Sequence, residues 1–213
     1  MKMVAGVDEA GRGCVIGPLV VAGTLFHEEV VDELAAMGVR DSKKLTPRKR
    51  EALEPQIKEI AHRWGVFELQ PRAIDVVVNR GVVLRKLNYL EAMAMAKVIR
   101  DLSPDVAIVD PADVVVDRYV RQIKRVLPSS VEVHSENKAD DKFPVVSAAS
   151  IVAKVRRDEI IRGLREEYGD FGSGYCSDRK TVSFLKSWFE ENEACPPFIR
   201  GSWATVKRIR ART

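Results

Sequence analysis

Apolar and polar positions along the chain switch between a strand-like and a helix-like repeat. Residues 2–8 (KMVAGVD) and 17–26 (GPLVVAGTLF) are short apolar runs that read as buried strands. The tight link between them predicts an antiparallel hairpin. Residues 28–37 predict a short helix leading to Gly38. Thr46 followed by Pro47 marks a helix start, as N-cap and first helical residue. Leu53, Ile57, Ile60 and Ala61 then form an apolar stripe. Pro55 conflicts with an unbroken helix there, so a kink or a late start is expected. Residues 64–70 (WGVFELQ) read as a third strand, 72–79 as a short helix and 82–102 as a long one rich in Leu, Met and Ala. Residues 105–109 (DVAIV) form a buried strand ending at Asp110, followed by a helix over about 113–126 and a short strand at 131–134. This strand–helix–strand order predicts that the later strands are parallel.

Residues 145–167 carry a helical pattern whose apolar face moves. Ala148, Ile151, Val152 and Val155 share one face, while Ile160, Ile161, Leu164 and Tyr168 lie roughly half a turn round. Such a helix packs on the core with its first half and on a second unit with its last. A glycine-rich stretch, YGDFGSGYCSD, breaks the pattern before two more helices at 178–192 and 202–210. The expected architecture is an α/β fold: a mixed five-stranded sheet, three antiparallel strands then two parallel, flanked by helices. Residues 1–170 form the main domain, and 171–213 a helical C-terminal appendage.

Composition narrows the class. The 213 residues suffice for one domain with a full core and a small appendage. A net charge of +4 is modest, so any basic surface is local. Cys14, Cys176 and Cys195 are scattered without metal-ligand spacing, which argues against zinc and for a reducing cytoplasm. The apolar run 15–26 is preceded by Asp8, Glu9 and Arg12 and is too short to span a bilayer, so no targeting or membrane segment is expected.

The candidate chemistry lies in acids at element ends. Asp8 and Glu9 are neighbours, and in a regular strand their side chains point to opposite faces. To share a site they must sit where the strand ends and the chain turns, with Gly11 and Gly13 supplying the freedom. Asp110 ends an apolar strand before Pro111, and Asp140 directly precedes a helix whose positive end favours its charge. Clustered carboxylates repel unless a cation intervenes, and oxygen ligands suit Mg²⁺ or Mn²⁺. Taken singly, an acid after a strand is ordinarily a loop residue or helix cap. Asp113, Asp117, Asp141, Asp158 and Asp178 are read that way. GRGCVIG is loosely similar to a dinucleotide-binding loop, but its glycine spacing does not fit, and two acids beside a pyrophosphate would repel it.

Longer motifs are more specific. DEAGRG with VIGPLVVAG (8–23), DSKKLT (41–46), IVDPAD (108–113), NKADDKFPVVSAASIVAKVRRD (137–158), YGDFGSGY (168–175) and IRGSWATV (199–206) occur in this order over nearly the whole chain. The chain thereby resembles the ribonuclease HII family, of the archaeal kind. The resemblance implies a ribonuclease H-like fold and a metal-dependent endonuclease acting on RNA–DNA hybrids and on ribonucleotides embedded in duplex DNA. It implies cleavage 5′ of the ribonucleotide, leaving 3′-hydroxyl and 5′-phosphate ends, with two Mg²⁺ or Mn²⁺ ions held by Asp8, Glu9, Asp110 and Asp140. Asp141, next to Asp140, is expected to be exposed.

The same resemblance assigns Gly11, Arg12 and Gly13 to recognition of the 2′-hydroxyl, with Arg12 near a phosphate. A solvated turn is the plain alternative for Arg12. Tyr175 falls at the RNA–DNA junction; core packing beside a glycine loop is its alternative. Ser42, Lys43 and Lys44 form a basic turn expected to contact phosphate, Lys43 foremost. Lys154, Arg156 and Arg157 divide between the scissile phosphate and plain surface charge. The basic end VKRIRART suits backbone contacts, which make binding salt-dependent. Cys14 and Cys176 stand where relatives often carry proline, and are expected to be close in space. VSFLKSWF (182–189) is faintly similar to a sliding-clamp-binding peptide, but Leu185, Trp188 and Phe189 fit a buried helix face, so no clamp motif is recognised. A monomer is expected. The competing classes are a non-catalytic nucleic-acid-binding module and a nucleotide-binding oxidoreductase.

Overall fold

The computed structural model describes residues 1–39, 45–82 and 86–212. Strand β1 (Met3–Ala10) pairs antiparallel with β2 (Leu19–His27), and β2 pairs antiparallel with β3 (Arg63–Leu69). On its other side β1 pairs parallel with β4 (Val106–Val109), which pairs parallel with β5 (Glu132–Ser135). The five-stranded sheet therefore has the order β3-β2-β1-β4-β5, with the strand directions that the sequence predicts.

Helices cover both faces. Helices α3 (Pro71–Asn79), α4 (Leu87–Leu102) and α5 (Val116–Lys124) lie on one side. There Ala5 and Val7 of β1 pack with Met95, Ile99 and Tyr119. Helices α1 (Val31–Ala36), α2 (Pro47–Ile60) and α7 (Pro144–Tyr168) lie on the other, where Val4 and Ala10 pack with Val145, Ile151 and Val152. The period-2 alternation of β1 thus sends successive side chains into two different cores. Helix α7 comes unusually close to β1 at Gly6, where an added Cβ would stand 2.0 Å from the Val145 carbonyl oxygen. The short helix α6 (Ala139–Lys142) precedes α7.

A third cluster joins the end of α7 to helices α8 (Arg179–Glu191) and α9 (Ala204–Arg210). Val15, Ile16, Ile161, Phe171, Leu185, Phe189, Phe198 and Val206 form it, with Leu164 and Tyr168 at its margin. The moving face of α7 behaves as predicted, except that Ile160 stays with the cluster of Val4, Ala10, Ile151 and Val152. Leu185 and Phe189 are buried and Trp188 packs beside them, so the apolar face of residues 182–189 turns inward.

Several boundaries differ from the sequence pattern. Helix α2 runs unbroken from Pro47 through Pro55, so it does not start late. Pro55 is exposed, so water can take the carbonyl hydrogen bond that its missing N–H leaves open. Thr46 caps the helix by accepting from the Lys49 N–H at 3.3 Å, a cap worth about 1 kcal/mol. Helix α4 is shorter than the apolar run, starting at Leu87. Helix α5 starts at Val116 rather than 113, because the Asp113 side chain, ahead of the helix, accepts from the Val115 N–H and from Arg118 in the first turn.

Candidate active site

Strand β1 continues to Ala10, so Asp8 and Glu9 lie within it, opposite Ala22 and Val21 of β2. The expectation that the strand ends at Asp8, with the chain turning there, is therefore corrected. The reason they can still meet lies across the sheet. Strand β4 stops at Val109, level with Val7, and only the Asp110 N–H reaches back to the Val7 carbonyl, at 3.4 Å. Beyond that point no strand among the described residues pairs with β1 on this side. Asp8 bends to accept from the Glu9 N–H at 2.8 Å, and the two carboxyl groups interact across the bare edge.

Each acid comes from a different element. Asp8, 5% exposed, faces α7, where Ser150 hydrogen-bonds to it and Lys154 Nζ donates to Ser150 Oγ at 2.8 Å. Glu9 faces α4 and the buried Glu91. Asp110 follows β4 and accepts from the Lys138 N–H at 3.1 Å. Lys138 adopts a left-handed conformation (φ 58°) that starts α6 and brings in Asp140, 2% exposed. Asp141 is exposed, as expected. Burial pushes the Asp8 carboxyl above its usual range, with the nearby Asp140 adding to the rise against Ser150, the Glu9 N–H and Lys154. Burial first, then Asp8 and Glu91, pushes Glu9 well above its usual range. Glu9 Oε2 is enclosed and has no hydrogen-bond partner among the described residues. Among the described residues, no three acid, histidine or cysteine side chains converge closely enough to enclose a metal ion as they stand. The enclosed, donor-less oxygen and the mutual repulsion nonetheless fit carboxylates that call for a cation.

After Ala10 the chain turns over Gly11–Gly13. Gly11 has φ +81°, and a Cβ there would stand 2.9 Å from the Pro18 carbonyl oxygen, so only glycine suits it. Cys14 forms an antiparallel bridge with Tyr175, and the N–H groups of Val15 and Ile16 both donate to the Gly174 carbonyl (2.8 and 3.2 Å). The glycine-rich loop is thereby held against the turn. The Arg157 guanidinium lies 5.0 Å from the Tyr175 ring and donates to Cys14 Sγ at 3.1 Å and to the Ser173 carbonyl. Burial raises the Tyr175 phenol to about 12. Glu9, Gly11, Arg12, Gly13, Lys154 and Tyr175 line one open groove of about 490 Å³ together with Arg50, Arg157 and Asp158.

Of the remaining expected residues, Ser42 and Lys43 lie outside the described residues, as does Lys44. Arg156 points outward and pairs with Glu68 and Glu159. Asp178 is a helix cap, accepting from the Lys180 N–H at 2.9 Å. Asp158, expected as a loop or cap residue, instead sits inside α7 and pairs with Arg50 and Arg157, since a long helix presents it to α2. The bridge through Tyr175 brings the segments of Cys14 and Cys176 together, but both thiols are free, Cys14 buried and Cys176 exposed. Three residues near the turn were not assigned a role from the sequence: Glu91 and Asn88 lie outside every quoted motif, and Arg200 lies in IRGSWATV without a stated function. Glu91 and Asn88 of α4 hold the Arg12 guanidinium, at 3.0 and 2.7 Å. Arg200 holds the backbone of the turn. An acid inside an otherwise apolar helix, Glu91 among Met and Ala, was the available signal.

A mixed sheet in this order, with acids gathered where β1 outruns β4, defines a ribonuclease H-like hydrolase fold. The family described as Ribonuclease HII matches residues 5–206. A ribonuclease HII from Thermofilum pendens is 44% identical over 99% of this chain and 100% of its own. One from Thermococcus kodakarensis is 45% identical over 97% and 89%. The crystal structure of ribonuclease H2 from Pyrococcus horikoshii OT3 superposes with a TM-score of 0.90 at 41% identity, covering 99% of this chain and 98% of that one. The PCNA:RNase HII complex from Archaeoglobus fulgidus is also similar, with a TM-score of 0.84 at 41% identity over 94% and 95%. The chain belongs to the ribonuclease HII family and is a ribonuclease H hydrolase, an enzyme class acting on RNA–DNA hybrids.

Proposed function

We propose that the chain is a divalent-metal-dependent endoribonuclease. It cuts the RNA strand of RNA–DNA hybrids and cuts 5′ of single ribonucleotides in duplex DNA. The observation that carries this reading is the shared groove: Glu9, the Gly11–Gly13 turn, Lys154 and Tyr175 line one opening. A carboxylate edge alone suits phosphodiester hydrolysis, and a glycine turn alone suits close approach to a sugar. Their union suits hydrolysis conditional on the sugar.

Asp8, Glu9, Asp110 and Asp140 would hold two Mg²⁺ or Mn²⁺ ions. When bound, such ions supply Lewis-acid activation of water and charge stabilisation at the leaving oxygen. Lys154 lies behind Asp8 through Ser150 and adds positive charge beside the phosphate. The turn admits the ribose edge, because Gly11 and Gly13 present backbone alone, and a 2′-hydroxyl can both donate to and accept from peptide groups. Tyr175, braced by Arg157, offers a ring face to the neighbouring deoxyribose. Water adds to phosphorus and the P–O3′ bond breaks, leaving a 3′-hydroxyl and a 5′-phosphate on the ribonucleotide. We read residues 171–213 as a substrate-binding appendage on a catalytic domain of 1–170; its helices pack in the third cluster against Val15, Ile16 and Ile161 of the catalytic part. The A. fulgidus relative was solved with PCNA. In this chain the apolar face of residues 182–189 packs inward, so no clamp contact is proposed through it. No helix among the described residues is long and apolar enough to cross a membrane. Three free cysteines suit a reducing cytoplasm.

The test is duplex DNA carrying one ribonucleotide, incubated with Mg²⁺ or Mn²⁺ and with chelator. Cleavage 5′ of the ribonucleotide only with metal, and its loss in Asp8→Asn, is expected. Wild-type rates in Asp8→Asn would overturn the metal assignment.

A further inference from the structure

The Arg200 side chain has no exposure to solvent and is the largest fully buried side chain among the described residues. It comes from the segment between α8 and α9, far in sequence from the turn. All three of its nitrogens donate to backbone carbonyls: Nε to Gly17 at 3.0 Å, Nη1 to Arg12 at 2.9 Å and Nη2 to Gly11 at 2.7 Å. We propose that Arg200 is a positioning residue for sugar recognition, fixing the peptide planes of the Gly11–Gly13 turn so that their N–H groups face the groove. This rests on the functional reading above.

The argument is geometric. Peptide units are planar and trans, so the carbonyl and the N–H of one unit point in opposite directions. Arg200 draws in the carbonyls of Gly11 and Arg12. The N–H groups of Arg12 and Gly13, which belong to the same two units, are thereby turned the other way. That is the side of the groove, which Gly11, Arg12 and Gly13 line and Arg200 does not. Gly11 and Gly13 carry no side chain to constrain the backbone, and the Cys14 N–H closes the turn only by a 3.3 Å hydrogen bond to the Gly11 carbonyl, so the fork adds constraint from outside. A buried guanidinium is costly unless its donors are satisfied, and an apolar side chain would fill the same space without that cost. What the guanidinium adds is orientation: a rigid planar fork with several donors.

The clamp is itself anchored. Asp75 of α3 accepts from the Gly201 N–H at 2.8 Å, the Ser202 N–H at 2.9 Å and the Ser202 hydroxyl at 2.5 Å. Trp203 stacks on the guanidinium, 5.0 Å away, and the Arg200 N–H donates to the Val15 carbonyl at 2.9 Å. Helix α3 on one face of the sheet therefore fixes the segment that fixes the turn.

Arg200→Lys keeps the charge and loses the fork. The decisive readout is the ratio of affinities for a duplex with one ribonucleotide and the same duplex in all-DNA form, measured with Ca²⁺ to prevent cutting. We expect that ratio to fall about tenfold or more, which is roughly 1.4 kcal/mol. Affinity for the all-DNA duplex should stay within about twofold, since phosphate contacts set it. With Mg²⁺, kcat should fall more than KM rises. An unchanged ratio in a folded Arg200→Lys protein overturns the role. If that variant does not fold, Asp75→Asn decides: a reduced ratio supports the role and an unchanged one overturns it. A wild-type protein that does not discriminate between the two duplexes would instead overturn the functional reading, and this role with it.

Discussion

Nε of Arg12 lies 3.0 Å from Oε2 of Glu91, a carboxylate with no solvent exposure. The turn that meets the substrate is thus tied to α4 by its side chain, and to the C-terminal segment by its backbone carbonyls. Glu91 also faces Glu9 and Asp8, and burial foremost raises its carboxyl to about 7 against the pull of Arg12. In Glu91→Gln, one negative neighbour of Asp8 and Glu9 disappears while an acceptor for Arg12 remains. Removing a member of a crowded like-charge group is neutral or stabilising when no metal is present. Thermal melting with chelator should therefore show no loss of stability. Activity should fall by about tenfold, because Arg12 is held by a weaker, neutral hydrogen bond. Lower stability together with full activity would contradict this account.

The sheet was legible because its signals are local. Two apolar runs joined by a tight link specify a hairpin, and DVAIV and VEVH around a helix specify parallel strands. The acids were legible as element ends, apart from one error of register. Asp8 and Glu9 lie inside β1, and what frees them is the early stop of β4. That is a fact about a neighbouring strand, and no local pattern in residues 2–13 encodes it. Glu91, Asn88 and Arg200 were missed for the same reason. Their partners lie 79, 76 and 189 positions away in the chain, so only the folded arrangement connects them.

The two turn glycines should separate under substitution. Gly11→Ala places a side chain at φ +81° with its Cβ 2.9 Å from a carbonyl oxygen. It should cost at least about 1–2 kcal/mol of stability from the left-handed backbone alone. Gly13 has no positive φ, and its Cβ would make ordinary contact with the Tyr175 ring at 3.8 Å. Gly13→Ala should keep stability within about 0.5 kcal/mol. Its methyl would nevertheless occupy the gap between the turn and Tyr175, where the sugar is expected. We expect a loss of about a hundredfold in kcat/KM on a single-ribonucleotide duplex. Urea melts alongside cleavage rates distinguish the two, and equal effects of both substitutions would argue against a sugar at Gly13.

The loop that carries Tyr175 should loosen in acid. Asp178 accepts from the Ser173 N–H and hydroxyl, both at 2.7 Å, and from Lys180 N–H, which lowers its carboxyl to about 2. Asp170 is lowered as well, by Lys180 and the Gly172 N–H. A carboxyl depressed in the folded state stabilises it above its unfolded value of about 4, and that stabilisation is lost as pH falls towards about 2. Amide exchange of residues 172–176 should therefore lose protection between about pH 4 and 2, beyond the intrinsic change in exchange rate. In Asp178→Asn the loss should be largely absent, with lower protection at pH 5. An unaltered profile in that variant would remove Asp178 as the cause.

Thiol reactivity should follow burial. Cys176 is exposed, Cys195 is half-buried with its thiol pushed up by burial, and Cys14 is enclosed against Arg157. A thiol reagent at neutral pH should modify Cys176 first, Cys195 slowly, and Cys14 only after unfolding. Three thiols should titrate in denaturant without reductant. A count of one would mean that two of the cysteines had formed a disulfide.

Metal binding should be visible as stability, without any substrate. The folded protein carries Asp8 buried and Glu9 half-buried, mutually repelling, and among the described residues Glu9 Oε2 has no hydrogen-bond partner. A cation that binds only the folded chain stabilises it by mass action, by about 2.7 kcal/mol at a hundred times its dissociation constant. For a chain of this length each kcal/mol raises Tm by roughly 2–4 °C, so saturating Mn²⁺ should add about 5–10 °C. NaCl at matched ionic strength should not reproduce the shift, because screening acts weakly on enclosed charges. Asp8→Asn removes one ligand and one repulsive charge together. It should melt no lower than wild type in chelator, yet gain much less from Mn²⁺. Equal Mn²⁺ shifts in the two proteins would move the metal site away from Asp8.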